Sequence, residues 1–317
     1  MLAKPDIRER HAFALALALG AFGLTASALA IVAAVASVHR SQIRIHQVLV
    51  GGLHFTYPAL NGAGALLLAV GALGAVAIAL TVHASWRQVR RYRKFLVEIG
   101  PAEPLDWDPS VNVIVDPHPQ AFCAGYLRPA VYVSQRTVDL LTEPELGAVL
   151  AHEYHHRRVR DPLRFAAVRI LSHALFFVPV LRPLCDRYAH VAELSADRAA
   201  VSASDGQKGH LASALLAFDD SGPPDVAGVS PERVDSLLGE PSSWRLPVRL
   251  LVGSLGVLSA LVVLVWALSG VASAHATFNL PFLSSKPCVV ITGLLPFAGC
   301  IRLAAQRARR ALRRPER

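Results

Sequence analysis

The residues with the clearest chemical potential are His152, Glu153 and His156, which form a His-Glu-x-x-His pattern. Residues four apart lie on one face of an α-helix, so both imidazoles can point at one divalent metal ion. Imidazole nitrogens are common zinc ligands, and Glu153 would then stand beside a water bound to that ion. The pattern therefore predicts a zinc site with a general base next to it.

A helix that could carry this pattern is predicted from the flanking residues. Thr142 and Glu145 have the spacing of a capping box, which satisfies backbone donors at the start of a helix. We expect the helix to begin near Glu143. It should end at Asp161, because the residue before a proline, here Pro162, disfavours helical backbone angles.

A third ligand is needed, because a catalytic zinc ion usually has three protein ligands and keeps one position for water. Downstream, Glu193 and Asp197 share a face at four-residue spacing in a segment of strongly helix-forming residues. One carboxylate could bind the metal while the other holds a ligand histidine by a hydrogen bond. A solvated acidic face that pairs with Arg198 is the alternative.

The order of these residues resembles that of the membrane-embedded gluzincin peptidases. Two branches are similar: the prenyl-protein and heat-shock membrane proteases, and the peptidases related to the beta-lactam sensor-transducers. The likeness covers residues 111–238, in which the zinc pattern is followed by Asp161 and by a Glu-x-x-x-Asp segment at 193–197. Its further matching segments are 120–134, 176–179 and 231–238.

The resemblance implies a zincin-like metallopeptidase domain that binds one Zn2+ per chain. The implied site residues are the metal ligands His152, His156 and Glu193, the general base Glu153, and the supporting residues Asp161 and Asp197. His155 stands where these families generally have a small or apolar residue. We expect it to be packed or solvent-facing rather than part of the site.

This ligand set predicts peptide hydrolysis. Zinc held by two imidazoles and one carboxylate lowers the pKa of a coordinated water and polarises a peptide carbonyl. Glu153 could take the proton of that water and pass it to the leaving amine. A donor to the carbonyl oxygen is also needed, and the nearby side chains that could supply it are Arg187, Tyr188 and His190.

The sequence gives weaker evidence about how a substrate binds. Residues 111–115 and 130–133 have strand composition, and Gly125 and Pro129 punctuate the stretch between them. An exposed strand edge beside the zinc helix could take an extended peptide as an added strand, whereas a purely structural hairpin is the alternative. The residues predicted to form that edge are Ala121, Phe122, Cys123, Ala124 and Gly125.

Composition predicts that this chemistry occurs at a membrane. Hydrophobic residues make up 53% of the chain, and charge-free stretches are long enough to cross a hydrocarbon core of about 30 Å. The predicted order is a tail (1–11), a first span (12–38), an external loop (39–57), a second span (58–82), the metallopeptidase domain (83–246), a third span (247–274), an external loop (275–286), a fourth span or re-entrant segment (287–303) and a basic tail (304–317).

These features predict an α+β, mainly helical polytopic membrane protein whose peptidase domain is inserted between pairs of transmembrane helices. The apolar stretch 170–184 is interrupted by polar residues and by Pro179, so we expect a core or membrane-surface segment there rather than a fifth span.

Lysine and arginine predict the orientation, because they are enriched on the cytoplasmic flanks of membrane spans. They cluster in both tails, after the second span and before the third, whereas the opposite flanks carry Arg40, Arg44 and Lys286. We therefore expect a multi-pass protein of the cell membrane with the zinc domain and both termini in the cytoplasm. The net charge of +9 lies largely in these juxtamembrane clusters, which favours contact with the lipid bilayer over nucleic acid.

Three functions are consistent with the sequence. The favoured one is a membrane-bound endopeptidase that acts on a protein or peptide substrate from the membrane or the cytosol. The second is a signal-transducing peptidase that cleaves a cytosolic transcriptional repressor, as the resemblance to the sensor branch implies. The third is a non-catalytic zinc-binding membrane receptor, against which Glu153 argues, because a structural site has no need of a base.

Overall fold

The computed structural model of the chain describes residues 7–41, 45–50, 53–58, 62–221, 233 and 247–271. The helices are α1 (Ile7–Ser41), α2 (Gly62–Ile99), α3 (Gln135–Leu140), α4 (Glu143–Val159), α5 (Asp161–Ala174), α6 (Leu181–Ala203), α7 (Lys208–Ser221) and α8 (Val248–Val271). The strands are β1 (Ile45–Val50), β2 (Leu53–Pro58), β3 (Glu103–Leu105), β4 (Asp108–Ile114), β5 (Ala121–Ala124) and β6 (Ala130–Ser134).

Backbone contacts divide the chain into two units, one made of residues 1–27 and 75–260 and the other of residues 28–74 and 261–317. In the described part of the second unit, β1 and β2 form an antiparallel hairpin. Gly71 of α2 lies so close to α1 that a Cβ added there would be 2.5 Å from the Cβ of Ala34. Small residues therefore allow these two helices to pack closely, as is common between helices in membranes.

Among the described residues, three helices are long and apolar enough to cross a membrane, through the stretches His11–Ser37, Gly62–Ile99 and Val248–Val271. The predicted first and third spans lie on α1 and α8. The second was predicted to start at residue 58, but this residue closes strand β2 and the helix begins at Gly62. The absence of charged residues could not show where the strand ends and the helix begins, because an apolar strand and an apolar helix can have the same composition.

Several predicted segments lie outside the described residues. They are the fourth span (287–303), the loop before it (275–286) and the basic tail (304–317). The first predicted loop, 39–57, contains the β1–β2 hairpin except for Pro58. This residue pairs with Ile45 and belongs to the segment predicted as the second span. Helix α2 continues past residue 82 without a break to Ile99, so one helix connects the apolar stretch to the peptidase region.

A four-stranded sheet in the first unit has the order β3-β4-β6-β5, with β4 and β6 parallel and the other pairs antiparallel. The predicted strand segments 111–115 and 130–133 correspond to β4 and β6. Their buried valines pack against α4, where Val149 and Leu150 belong to the same apolar cluster. In the described sheet β5 pairs only with β6, so β5 is an edge strand.

Helix α4 begins as predicted. The backbone N–H and the hydroxyl of Thr142 both donate to Oε2 of Glu145, at 2.9 and 2.7 Å. The helix ends at Val159, slightly before the predicted boundary, and Arg160 adopts a left-handed conformation with φ 58°. Helix α5 then starts at Asp161, because Pro162 has no N–H with which to continue the first helix.

The outer face of α4 is tied to the sheet by Tyr154. Its hydroxyl lies 2.6 Å from Oγ of Ser110 and donates to Oδ2 of Asp108, both at the start of β4. Burial raises the pKa of the Tyr154 hydroxyl, and its hydrogen bond to Asp108 raises this pKa further. The hydroxyl therefore stays protonated and keeps donating near neutral pH. This contact fixes the rotation of the helix that carries His152 and His156.

The apolar stretch 170–184 forms the end of α5, a turn at residues 175–180 and the start of α6. We call residues 161–203 the α5–α6 hairpin. Its buried leucines pack against α1, where a Cβ added at Gly20 would lie 2.5 Å from Cδ1 of Leu171. The stretch is thus a packed turn rather than a continuous fifth span, as expected from its sequence.

We predict that Gly20→Leu lowers the thermal unfolding midpoint of the detergent-purified chain, because overpacking a tight contact costs about 1–3 kcal/mol. The matched control is Gly253→Leu on α8, since nothing lies within 4 Å of a Cβ added at Gly253. Adding Leu171→Ala to Gly20→Leu should restore part of the loss. Equal shifts for both glycine variants would contradict the close approach of α1 and α5.

Candidate active site

The predicted zinc residues lie on two helices that pack side by side. His152, Glu153 and His156 are on α4 and are 7, 9 and 8% exposed. Glu193 is on α6, half-buried and facing them. The helical spacing of α4 brings its two histidines together, whereas the approach of Glu193 depends on the packing of α4 against α6.

The possible ligand atoms of these side chains converge. Nε2 of His152 lies 3.2 Å from Nε2 of His156. Oε2 of Glu193 lies 3.5 Å from Nε2 of His152, and Oε1 of Glu193 lies 3.6 Å from Nε2 of His156. A zinc ion with bonds of about 2.0–2.2 Å and tetrahedral angles needs ligand atoms about 3.2–3.6 Å apart. The three side chains therefore fit such an ion.

The outward nitrogen of each histidine faces an aspartate. Nδ1 of His152 lies 3.0 Å from Oδ1 of Asp197, and Nδ1 of His156 lies 2.7 Å from Oδ2 of Asp161. A carboxylate at Nδ1 holds the proton on that nitrogen and leaves the lone pair of Nε2 directed at the metal position. Both aspartates are thus placed to orient the two histidines.

Each aspartate is held in turn by a residue from another part of the chain. The hydroxyl of Tyr188 on α6 donates to Oδ1 of Asp161. Arg233 donates from Nε to Oδ2 of Asp197 at 2.9 Å and from Nη2 to Oδ1 at 2.6 Å. Its Nη1 also lies 3.3 Å from Oε2 of Glu193. Such a bidentate pair fixes the carboxylate in position and angle.

The field around the imidazoles is strongly negative. Burial alone would lower the pKa of His152, but hydrogen bonds to Asp197 and Glu193 override burial and raise it to about 10. For Glu193, burial opposes ionisation, yet its hydrogen bond to His152 and the nearby positive charges lower its pKa to about 2. The same carboxylates that hold a proton on His152 favour a divalent cation, which would displace that proton.

A cavity of about 430 Å³ lies over the site. Glu153, both histidines and Glu193 line it, and Arg233 forms part of its wall. Apolar residues supply other parts of the wall, among them Phe165, Leu211, Leu215 and Phe218. A polar cluster inside a partly apolar cleft is the usual arrangement of a site that binds and transforms a ligand.

The predicted substrate edge borders this cavity. Ala121, Phe122 and Cys123 of β5 line it, whereas Ala124 ends the strand and is not among the lining residues. Gly125 forms the following turn with φ 110°, and a Cβ there would be 2.7 Å from the carbonyl oxygen of Arg128. Burial raises the pKa of the Cys123 thiol to about 12, so this side chain is a neutral wall residue near neutral pH.

The other side chains considered from the sequence lie elsewhere. Tyr188 is fully buried and donates to Asp161, and neither it nor Arg187 or His190 is among the residues that line the cavity. His155 is packed inside the protein at 5% exposure and is likewise not a lining residue. The role of Arg233 was not predicted, because nothing in a linear sequence pairs an arginine with an aspartate 36 residues away.

Comparison with known proteins agrees with this geometry. Residues 93–189 match the profile of peptidase family M48, a gluzincin-type zinc metallopeptidase family. No curated protein matches the chain. This match confirms the resemblance to gluzincin peptidases for that part of the chain, without a choice between the two branches. The match ends before Glu193, so the third ligand rests on the convergence of the side chains.

We predict that Asp161→Asn weakens zinc binding about 10- to 100-fold, because the hydrogen bond that orients a ligand histidine is altered. Zinc affinity would be measured by competition with a chelator in detergent. The matched control is Asp186→Asn, which changes an exposed carboxylate on α6 and should leave the affinity unchanged. Equal affinities for the two variants would show that Asp161 does not support the metal site.

Proposed function

We propose that this chain is a membrane-bound zinc metalloendopeptidase that hydrolyses peptide bonds of membrane or cytosolic proteins. The observation that carries the proposal is the convergence of His152, His156 and Glu193, whose ligand atoms lie within 4.8 Å of one another, beside Glu153. The M48 domain supports the reaction class, and the three apolar helices support the location.

Zinc in this site would supply a water of near-neutral pKa and polarise the substrate carbonyl. Glu153 lies on the same helix as the histidine ligands and lines the cavity, so its carboxylate can accept the proton of that water. The carboxylic acid formed then delivers the proton to the leaving amine. Asp161 and Asp197 keep the two imidazoles in the tautomer that this arrangement needs.

The substrate would bind as an extended strand along β5. This strand pairs only with β6 in the described sheet, and its residues Ala121, Phe122 and Cys123 line the cavity. Hydrogen bonds to the backbone of an added strand recognise any peptide that can extend, so the enzyme should show loose sequence preference. The small side chains of Ala121 and Cys123 leave room for a peptide beside the metal position.

The distribution of lysine and arginine supports a cytoplasmic peptidase domain. A repressor-cleaving signal transducer would use the same residues in the same way. A non-catalytic receptor has less support, because a closed structural site would fill the fourth position. Here Glu153 and the three ligand candidates line a cavity of about 430 Å³.

We predict that Glu153→Gln keeps zinc binding and loses at least about 100-fold in the rate of cleavage of an unstructured protein, because a general base contributes that much or more. The measurements are zinc content and cleavage rate of the purified chain in detergent. Glu143→Gln is the matched control, since Glu143 is exposed in the first turn of the same helix.

The control variant should cleave at the rate of the wild type. Cleavage by Glu153→Gln at the wild-type rate would refute the role of Glu153. Full zinc content without cleavage of varied substrates by the wild type would favour the receptor.

A further inference from the structure

The turn of the α5–α6 hairpin packs among the helices that are apolar enough to cross a membrane. Its buried side chains belong to one apolar cluster with Ala16 and Leu19 of α1, Ala77 of α2 and Leu258 of α8. The hairpin residues in this cluster are Val168, Leu171, Leu175, Val178, Val180, Leu181 and Leu184. A part of the peptidase domain therefore shares a core with three predicted membrane spans.

Two kinds of contact make this insertion specific. Glycines on α1 admit the leucines of the hairpin: a Cβ added at Gly23 would lie 2.9 Å from Cδ1 of Leu175. The backbone N–H of Val180, in the turn, donates to the hydroxyl of Ser254 on α8 at 3.2 Å. The apolar core of a bilayer has no water that could accept a hydrogen bond from this N–H. The hydroxyl of Ser254, on a neighbouring helix, accepts it instead.

Each of the three helices gives a separate measure of how deep the apolar cluster that contains the turn lies. On α1, Gly23 is twelve residues after His11, where the apolar stretch begins, which is about 18 Å at 1.5 Å per residue. On α8, Ser254 is six residues after Val248, or about 9 Å. On α2, Ala77 is ten residues before Arg87, or about 15 Å. The turn thus reaches about 9–18 Å into an apolar layer of about 30 Å.

The exposed side of the hairpin matches a lipid surface. Phe176, 47% exposed, and Pro179 lie at the turn. Arg169 and Arg182 are exposed on the two flanking helices. An apolar tip with basic flanks suits the boundary between acyl chains and anionic headgroups, because arginine can extend its stem along the apolar layer and keep its charge at the phosphates. Because Arg182 follows Pro179 closely and its charge must stay near the headgroups, the tip is expected at the shallower end of this depth range.

This insertion determines the height of the metal site. Asp161 and the tip of the turn are separated by the length of α5, which has 14 residues and measures about 21 Å. A tip at least about 9 Å deep therefore leaves Asp161 no more than about 12 Å above the apolar layer. The ring of Phe13, near the start of the apolar stretch of α1, lies 5.5 Å from the ring of Tyr188, which donates to Asp161.

We propose that the α5–α6 hairpin is a membrane wedge whose tip contacts acyl chains and which holds the cavity at the bilayer surface, so that the preferred substrates are juxtamembrane segments of membrane-anchored proteins. The substrate part rests on the proposed peptidase activity. The lipid contact of Phe176 and Pro179 does not depend on that activity and is tested separately.

The lipid contact is tested in the full chain carrying Glu153→Gln, reconstituted in vesicles of phosphatidylcholine and phosphatidylglycerol. A spin label is attached at Phe176→Cys after the native cysteines are changed to alanine, and its collisions with oxygen and with a water-soluble nickel chelate are compared. Leu29→Cys, on the apolar stretch of α1, and Arg136→Cys, exposed on α3, are the reference positions. We expect the label at Phe176 to favour oxygen, as at Leu29.

A label at Phe176 that collides with the nickel chelate as readily as one at Arg136 overturns the wedge. Retained zinc binding shows that the cysteine-free chain is folded. If it does not fold, Phe176→Trp in the otherwise native chain is compared with wild type for fluorescence quenching by brominated lipids. Added quenching supports the wedge, and its absence overturns it.

The substrate part is tested with a single-span protein that carries an unstructured repeat next to its span. The cleaved bond nearest to the span is mapped by mass spectrometry. A site about 12 Å above the apolar layer should cleave within about four residues of it, at about 3.3 Å per extended residue. A nearest cleaved bond beyond about ten residues, or about 33 Å, overturns the proposed height.

A soluble unstructured peptide, assayed in detergent, separates this proposal from the peptidase activity itself. Cleavage of the soluble peptide together with a distant nearest bond leaves the peptidase standing and overturns its surface location. Cleavage of neither substrate by the wild type overturns the peptidase and the substrate class together, whereas the labelling result at Phe176 still decides the wedge.

Discussion

The candidate site depends on two close aspartate–histidine pairs, in which Oδ1 of Asp197 lies 3.0 Å from Nδ1 of His152 and Oδ2 of Asp161 lies 2.7 Å from Nδ1 of His156. An imidazole can bind a metal only through a nitrogen that carries no proton, so a carboxylate at Nδ1 decides that Nε2 is the ligand atom. Both rings are buried, at 7 and 8% exposure, which limits the access of water to these contacts. The four side chains lie on α4, α5 and α6, so the packing of these three helices brings them together.

The second of these pairs also connects the chemistry to the membrane-facing part of the chain. Asp161 is the first residue of α5 because the chain turns at Arg160, where α4 has ended. The other end of α5 packs against Gly20 and Gly23 of α1. One rigid helix therefore joins the support of a metal ligand to a turn among apolar helices. If the proposed wedge lies in the bilayer, the length of α5 determines the height of the proposed metal site above it.

Much of the site could be predicted from local sequence. The spacing of His152 and His156, the capping box at Thr142 and the shared face of Glu193 and Asp197 all follow from helix geometry within a few residues. The strands β4 and β6 follow from their β-branched composition. The second span was placed too early, because residues without charge near Pro58 can belong to a strand as well as to a helix, and the partner strand β1 decides between them.

The sequence by itself determined what is periodic or compositional: the two histidines with their glutamate, the helix that carries them, and the apolar stretches. The resemblance to gluzincin peptidases added Asp161 and gave Glu193 and Asp197, already paired by helical spacing, their separate roles. Only the tertiary structure decided that Glu193 faces both imidazoles, that Arg233 and Tyr188 hold the two aspartates, and that the turn of the α5–α6 hairpin lies among apolar helices. These contacts join residues far apart in the chain, and their partners are selected by the packing of whole helices, which no short spacing encodes.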